Sequence, residues 1–308
     1  KLYDEMVSAR KTNRYLEFRN YGDTETELKE KIQNLFDEAK DKWHGVFSNE
    51  NKISLSTSHL SVCVSSLQDV KLFNSNLDVV DDAFEFLINK TSKGEKGQFF
   101  TPRYAIDMCV KMLNPQVHES MIDTAGGSCG FPIHTIFYVW KDIIKRLGLS
   151  ESHMLTAEEK PAECIDYVKD KVFSIDFDEK AVRVARTLNL IAGDGETNVL
   201  NLNTLDYERW SERYSDDESW KDIYSTGWRN IRKYLTNGRA KKLITETEYQ
   251  KNGKTYIRET SKSVYDCKDF EFDILMANPP FAGDIKESRI LSKYDFGKKA
   301  NGKAQTKV

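Results

Sequence analysis

At 308 residues, with 46 Lys+Arg against 49 Asp+Glu, the chain carries a formal net charge of -3 although 31% of its residues are charged. That balance excludes a uniformly basic nucleic-acid coat, and a 39% hydrophobic share excludes an intrinsically disordered chain. The length predicts one large domain plus a smaller one, at about 100 to 200 residues per domain. No membrane partner is expected, because no apolar run approaches the roughly 18 residues of a span.

Residues 1–93 read as a helical N-terminal domain. Leu28, Ile32, Leu35, Phe36, Ala39 and Trp43 recur at helical spacing between charged neighbours, and Leu77, Val80, Phe84 and Leu87 repeat the pattern. Such a region is either a docking or lid domain or a plain helical scaffold with solvated charged faces. After Lys93-Gly94 the texture changes, and residues 94–308 read as a second domain. Short apolar runs at Met121-Ile122, Val172 to Ile175, Val199 to Leu202 and Phe272 to Ala277 alternate with helical patterns such as Ile133 to Leu147 and Glu179 to Ile191. The alternation predicts an α/β fold built from βαβ units around a mainly parallel sheet. In such sheets ligands gather at the carboxyl ends of the strands.

The first strand runs into Asp123-Thr124-Ala125-Gly126-Gly127-Ser128-Cys129-Gly130-Phe131 and then a helix. Glycines there permit a tight turn and a close approach of ligand to backbone, beside free N–H groups of a helix start. A turn of this kind either cradles a ligand or merely joins strand to helix. Asp176 ends the second strand, where a carboxylate can accept both hydroxyls of a ribose or simply cap a helix. Asn203-Thr204-Leu205 follows the third strand and reads as a ligand contact or an ordinary polar loop.

From about 207 to 270 the pattern is interrupted by an insertion holding Trp210, Trp220 and Trp228. It also carries a basic stretch (Arg229, Arg232, Lys233, Arg239, Lys241 and Lys242) and a hairpin turn predicted at Asn252-Gly253. It is expected to be a solvated insertion, or else a basic surface touching phosphates. The fourth strand leads into Asn278-Pro279-Pro280-Phe281. Two prolines fix φ, remove two N–H donors and hold Asn278 and Pro279 extended. The result is an acceptor-rich notch suited to a planar amine, with the Asn278 side-chain oxygen and the Pro279 carbonyl as acceptors and Phe281 as a stacking face.

These residues carry a resemblance. Asn278-Pro279-Pro280-Phe281 looks like the catalytic motif of DNA N6-adenine methyltransferases, and Asp123 to Phe131 resembles their S-adenosylmethionine loop. Gly97-Gln98-Phe99-Phe100-Thr101-Pro102-Arg103 is similar to the Phe-Thr-Pro motif of the same group. The motif order, and the helical N-terminal domain, resemble the modification (M) subunit of type I restriction-modification systems. The likeness covers about residues 25 to 205 and 270 to 308. It implies a Rossmann-like S-adenosylmethionine-dependent methyltransferase sheet, normally of seven strands, of which four are legible here; the sheet is therefore expected to be incomplete at the C-terminus. Phe100, Thr101 and Pro102 would close over the methionine end of S-adenosylmethionine. Asp123, Ala125 and Gly127 would line its backbone-facing side, with Asp176 at the ribose and Asn203 at the adenine ring. The residues Asn278, Pro279, Pro280 and Phe281 would be catalytic. Thr124 stands where the family usually has Pro, Gly126 where Cys or Ala is common, Cys129 where Gly is usual, and Asn203 where many relatives carry Asp.

The implied reaction is site-specific methylation of a flipped adenine in double-stranded DNA. The implied partners are a specificity (S) subunit and a restriction (R) subunit. A methyltransferase acting on cytosine N4, RNA or a protein glutamine is an alternative, as is a catalytically silent assembly subunit. The five cysteines, Cys63, Cys109, Cys129, Cys164 and Cys267, are scattered, and neither they nor the five histidines form a metal pattern. No metal is expected, and a reducing cytoplasm is the expected compartment. In keeping with it, Lys1 to Arg10 is charged and mixed, unlike a secretory signal.

Overall fold

The computed structural model of the chain describes residues 1–9, 14–43, 46–47, 50–72, 101–150, 160–192, 198–235, 241–251, 254–264, 270–279, 285 and 287–291. Three helices come first: α1 (Leu2–Ala9), α2 (Glu25–Lys42) and α3 (Thr57–Leu67). A reciprocal capping box starts α2. The Thr24 hydroxyl accepts the Glu27 N–H at 3.3 Å and the Glu27 carboxylate accepts the Thr24 N–H at 2.9 Å, which satisfies two of the helix's orphan donors. The spacing seen in the sequence becomes a buried stripe, in which Leu28, Ile32 and Leu35 pack on Leu60 and Val64 of α3. Ala39, Trp43 and Val46 form a second cluster with Leu190. The run from Leu77 to Leu87 and the boundary at Lys93-Gly94 lie outside the described residues.

Next come α4 (Arg103–Leu113), β1 (Met121–Asp123), α5 (Gly130–Arg146), α6 (Ala162–Lys171), β2 (Val172–Asp176), α7 (Glu179–Ala192) and β3 (Val199–Asn201). A 3-10 turn at Thr204–Arg209 leads into α8 (Trp210–Asp216) and α9 (Glu218–Ile231). The hairpin β4 (Lys241–Lys251) and β5 (Lys254–Val264), the short β6 (Ile274–Leu275) and α10 (Ser288–Leu291) complete the order. Four strands form one sheet in the order β3-β2-β1-β6, with every pairing parallel. Residues of β1 and β3 are buried throughout and those of β2 nearly so, as expected when helices cover both faces of a parallel sheet. The long helix α5 contributes Ile136, Trp140, Ile143 and Ile144 to the core, and Val182, Ala185 and Leu188 of α7 join them.

The last strand is shorter than its apolar run predicts, because its flanks have other partners. Asp273 turns to Ser120, whose N–H and hydroxyl both donate to the Asp273 carboxylate at 2.7 and 2.8 Å. Those bonds hold the Asp273 carboxyl below its ordinary range. Phe272 stacks on Tyr234 with ring centroids 4.6 Å apart.

Structure corrects the expectation that the whole 207–270 stretch is a solvated insertion. Trp210, Trp220 and Trp228 are buried in the main core together with Tyr224 and Ile231. Residues 220, 224, 228 and 231 share one face of α9, and that apolar stripe belongs against a sheet rather than in water. In the basic stretch, Lys233 is tied to Asp170 of α6 by an ion pair of 2.8 Å. The hairpin follows, its ladder continuous from Lys241–Val264 to Lys251–Lys254, so that it brackets the expected turn at Asn252-Gly253.

Candidate active site

From β1 the chain steps to β2 and then β3 in one direction, whereas β6 returns to the opposite side of β1. The strand order therefore reverses between β1 and β6, and ligands of open α/β sheets sit in the crevice beyond the carboxyl ends at such a point. Asp123 ends β1, Asp176 ends β2, Asn203 lies two residues past β3, and Asn278 lies three past β6. Parallel pairing thus puts all four at one edge of the sheet.

The loop after β1 is folded tightly on itself. The Ala125 N–H donates to Asp123 Oδ1 at 3.0 Å and the Gly127 N–H to Asp176 Oδ2 at 2.8 Å. The Gly126 N–H reaches the Ile175 carbonyl at 2.9 Å and the Cys129 N–H the Gly126 carbonyl at 2.7 Å. These four N–H groups are consumed within the protein; all precede Gly130, where the helix begins and where the sequence places its free N–H groups. The glycines serve packing. A Cβ on Gly126 would lie 2.1 Å from Ser174 Oγ, and Gly127 has a φ of +51°. Ser174 of β2 fills the space that a side chain at position 126 would need. Cys129 has a φ of 67°, a left-handed conformation that costs a non-glycine residue roughly 1 to 2 kcal/mol. A glycine would adopt it without that cost. Its side chain is fully buried and lines a cavity of about 130 Å³ with Pro132, Ile136, Phe173 and Ser174.

Two carboxylates dominate the electrostatics. Asp123 is 2% exposed; burial pushes its carboxyl up to about 7, against the Ala125 N–H, with the nearby Asp176 charge adding to the rise. Burial also raises Asp176, opposed by N–H donation from Asp178 and Gly127. Among the described residues neither forms an ion pair. A positive charge beside them would favour the ionised form of both, whereas a phosphate would be repelled. Both Asp176 oxygens already accept a backbone N–H, Oδ1 from Asp178 and Oδ2 from Gly127. A carboxylate has about four lone-pair sites and can take hydroxyl donors as well.

Asn203 acts as a cap: its side-chain oxygen accepts the Leu205 N–H at 3.0 Å. Two indoles brace the strand before it, Trp220 Nε1 donating to the Asn201 carbonyl at 2.8 Å and Trp210 Nε1 to the Asn203 carbonyl at 2.7 Å. The Thr204 hydroxyl donates to the Thr124 carbonyl at 2.7 Å and joins the loops after β3 and β1. Sequence reading missed all three contacts, although the tryptophan spacing held a signal for the first.

Across the switch point, Asn278 is half-buried and Pro279 exposed. Asn278 Nδ2 donates to Thr101 Oγ1 at 3.0 Å, over a separation of 177 residues. Thr101 and Pro102 immediately precede α4, which is held to α5 by a 2.7 Å contact between Asp107 and His134 Nδ1. The structure thus brings Thr101 and Pro102 to the Asn278 corner, and Asp123, Ala125, Gly127 and Asp176 to the neighbouring loop. Phe100, Pro280 and Phe281 lie outside the described residues. No cluster of three or more metal-ligating side chains occurs among the described residues, and none of their helices is long and apolar enough to cross a membrane.

Fold and site together define an α/β protein with two carboxylates and the Asn278–Pro279 corner at the carboxyl ends of one parallel sheet. The family follows from comparison: the model of the N-6 DNA Methylase family matches residues 75–307, and the chain belongs to that family. It is similar to the type I restriction enzyme StySPI methylase subunit of Salmonella potsdam, 34% identical over 101 residues, covering 30% of this chain and 19% of the relative. It is also similar to the EcoKI methylase subunit of Escherichia coli K12, 29% identical over 115 residues, covering 35% and 22%. The chain therefore spans about a fifth of the length of these curated relatives. Among solved structures, a modification subunit assigned to a type I restriction enzyme of Vibrio vulnificus matches with a TM-score of 0.45 and 17% identity over 80% of this chain and 37% of that one. The EcoKI M protein matches with a TM-score of 0.27 and 18% identity over 66% and 37%.

Proposed function

We propose that this chain is the catalytic part of a site-specific DNA adenine-N6 methyltransferase that uses S-adenosylmethionine, acting as the modification subunit of a type I restriction-modification system. One observation carries the reading: two carboxylates with no ion-pair partner among the described residues and the Asn278–Pro279 corner flank the same switch point, between β1 and β6. When bound, the cofactor would supply an electrophilic methyl group on a sulfonium. On the protein side, Asp176 would accept the ribose hydroxyls and Asp123 would complement the cationic end. Asn203 would face the cofactor's adenine, and Phe100 with Pro102, on either side of Thr101, would cover its methionine end.

Asn278 Oδ1 and the Pro279 carbonyl would each accept one N–H of the target amine. Two acceptors draw the nitrogen lone pair out of conjugation with the ring and ready it as a nucleophile. Orientation supplies much of the remaining acceleration, and positioning effects reach roughly 7 to 11 kcal/mol at most. The target base must leave the duplex to reach this corner, at a cost of a few kcal/mol that stacking on Phe281 would partly offset. The two prolines keep the acceptors from reorganising. A near-neutral chain suits DNA contacts that are local or shared with a specificity subunit, with a restriction subunit as a further partner in the cytoplasm.

The test uses the full-length subunit with its specificity partner and DNA bearing the cognate site. Asn278→Ala should abolish methyl incorporation into adenine while leaving calorimetric cofactor affinity within about twofold of the parent. Normal turnover by that variant would refute the assignment.

A further inference from the structure

We infer that Thr101 is a positioning residue for the catalytic carboxamide: its hydroxyl holds Asn278 with the amide nitrogen turned inward, so that Oδ1 faces the incoming amine. This rests on the proposed adenine chemistry and gives Thr101 a role distinct from closing over the cofactor.

A carboxamide has one accepting and one donating end, and only the accepting end can receive an N–H from the substrate. Rotated by 180°, Asn278 would confront an amine with its own N–H groups and the corner would lose one of its two acceptors. Among the described contacts of Asn278, the group that holds the side chain is the Thr101 hydroxyl, which accepts from Nδ2 at 3.0 Å. A hydroxyl can also donate, so the target amine's own N–H groups complete the choice of Oδ1 as the outward end.

Thr101 is suited to that task because it is itself held. A β-branched side chain has few χ1 choices, and the following Pro102 confines the Thr101 backbone to extended conformations. Pro102 then anchors the start of α4, its carbonyl accepting from Ala105 and Ile106 N–H at 2.9 and 3.1 Å. The helix is seated in turn on the cofactor loop. Ile106 is buried, and its Cδ1 lies 2.6 Å from where a Cβ on Gly130 would be, so the absence of that carbon lets α4 approach α5. At the next residue, the Asp107–His134 contact pins the same helix to α5 one turn beyond Gly130. The orientation of the amide is thereby set by the helix that packs against the first turn after the Asp123 loop. Methyl acceptor and methyl donor sites share one rigid mount.

The experiment compares Thr101→Val, Thr101→Ala and Thr101→Ser in the full-length subunit with its specificity partner, measuring kcat and KM for DNA and, separately, cofactor affinity by calorimetry. Deleting the hydroxyl should lower kcat by about 10- to 100-fold, the order expected for losing one hydrogen bond that aligns a catalytic side chain. Cofactor affinity and KM for DNA should stay within about twofold, and Thr101→Ser should recover most of the parental kcat. An unchanged kcat in both Thr101→Val and Thr101→Ala would overturn the inference. So would a parallel loss of kcat and cofactor affinity, which would make Thr101 a cofactor lid, or a failure of Ser to rescue. Asn278→Ala in the same assay separates the two levels: if that variant remains active the adenine chemistry itself is wrong, and if it alone is inactive only the role of Thr101 falls.

Discussion

Replacing Asp123 by Asn should stabilise the fold and weaken the site, and the stabilisation should depend on pH in a defined direction. The Asp123 carboxyl rises from 3.8 to about 7 on folding, chiefly through burial. Between those values the folded chain keeps a proton that the unfolded chain has released, so stability falls as pH rises through the window. Three pKa units at about 1.4 kcal/mol each set an upper bound of about 4 kcal/mol for the cost of the charged carboxylate above pH 7. A carboxamide never bears that charge, and its oxygen can still accept the Ala125 N–H, now bonded at 3.0 Å. The buried amide NH2 adds a desolvation cost of about 1 to 3 kcal/mol, which does not vary with pH. The advantage of Asp123→Asn over the parent should therefore grow by roughly 3 kcal/mol between pH 5 and pH 8. Urea unfolding followed by tryptophan fluorescence reads this directly. S-adenosylmethionine affinity at pH 8 should fall at the same time, because the complementary charge is gone. A pH-independent difference, or an advantage larger at pH 5, would refute the buried-acid account.

Gly126→Ala should destabilise by about 1 to 3 kcal/mol through overpacking, because the new methyl meets Ser174 Oγ at 2.1 Å. Adding Ser174→Ala removes that atom and leaves an ordinary 3.5 Å contact with Cβ, so a double variant as unstable as the single one would disprove the clash. Asp176→Ala should lower S-adenosylmethionine affinity by roughly tenfold or more, and an unchanged calorimetric titration would remove Asp176 from the site. Converting Lys241 and Lys242 to Ala should flatten the slope of log K for DNA against log salt by up to about 2 if the start of β4 meets phosphates; an identical slope would assign the hairpin to another task.

What the sequence revealed followed from local chemistry. Asp123 and Asp176 end buried apolar runs, and a parallel sheet converts such positions into neighbours. The Asn278–Pro279 step announces its rigidity through proline alone. Other features depend on register and distance, which a single sequence does not carry. Nothing near Gly126 in the chain names Ser174 as the atom it must avoid, and nothing in Gly97 to Arg103 says that Thr101 will meet Asn278. The core role of α9 was legible in principle: Trp220, Tyr224, Trp228 and Ile231 recur at helical spacing, but the charged residues between them drew the whole stretch toward solvent. The short β6 was hidden for a different reason, since Asp273 and Phe272 leave the ladder for Ser120 and Tyr234.

The double hydrogen bond from Ser120 to Asp273 also bears on how such a protein can diversify. Because the entry of β6 is fastened to the entry of β1 directly, the corner at Asn278 takes its alignment from the strand beside it and owes little to the intervening chain. Lengthening a loop twofold costs only about 0.6 kcal/mol, so the hairpin formed by β4 and β5 could be trimmed, extended or exchanged at small thermodynamic expense. That fastening would let the hairpin drift while the corner stays in register.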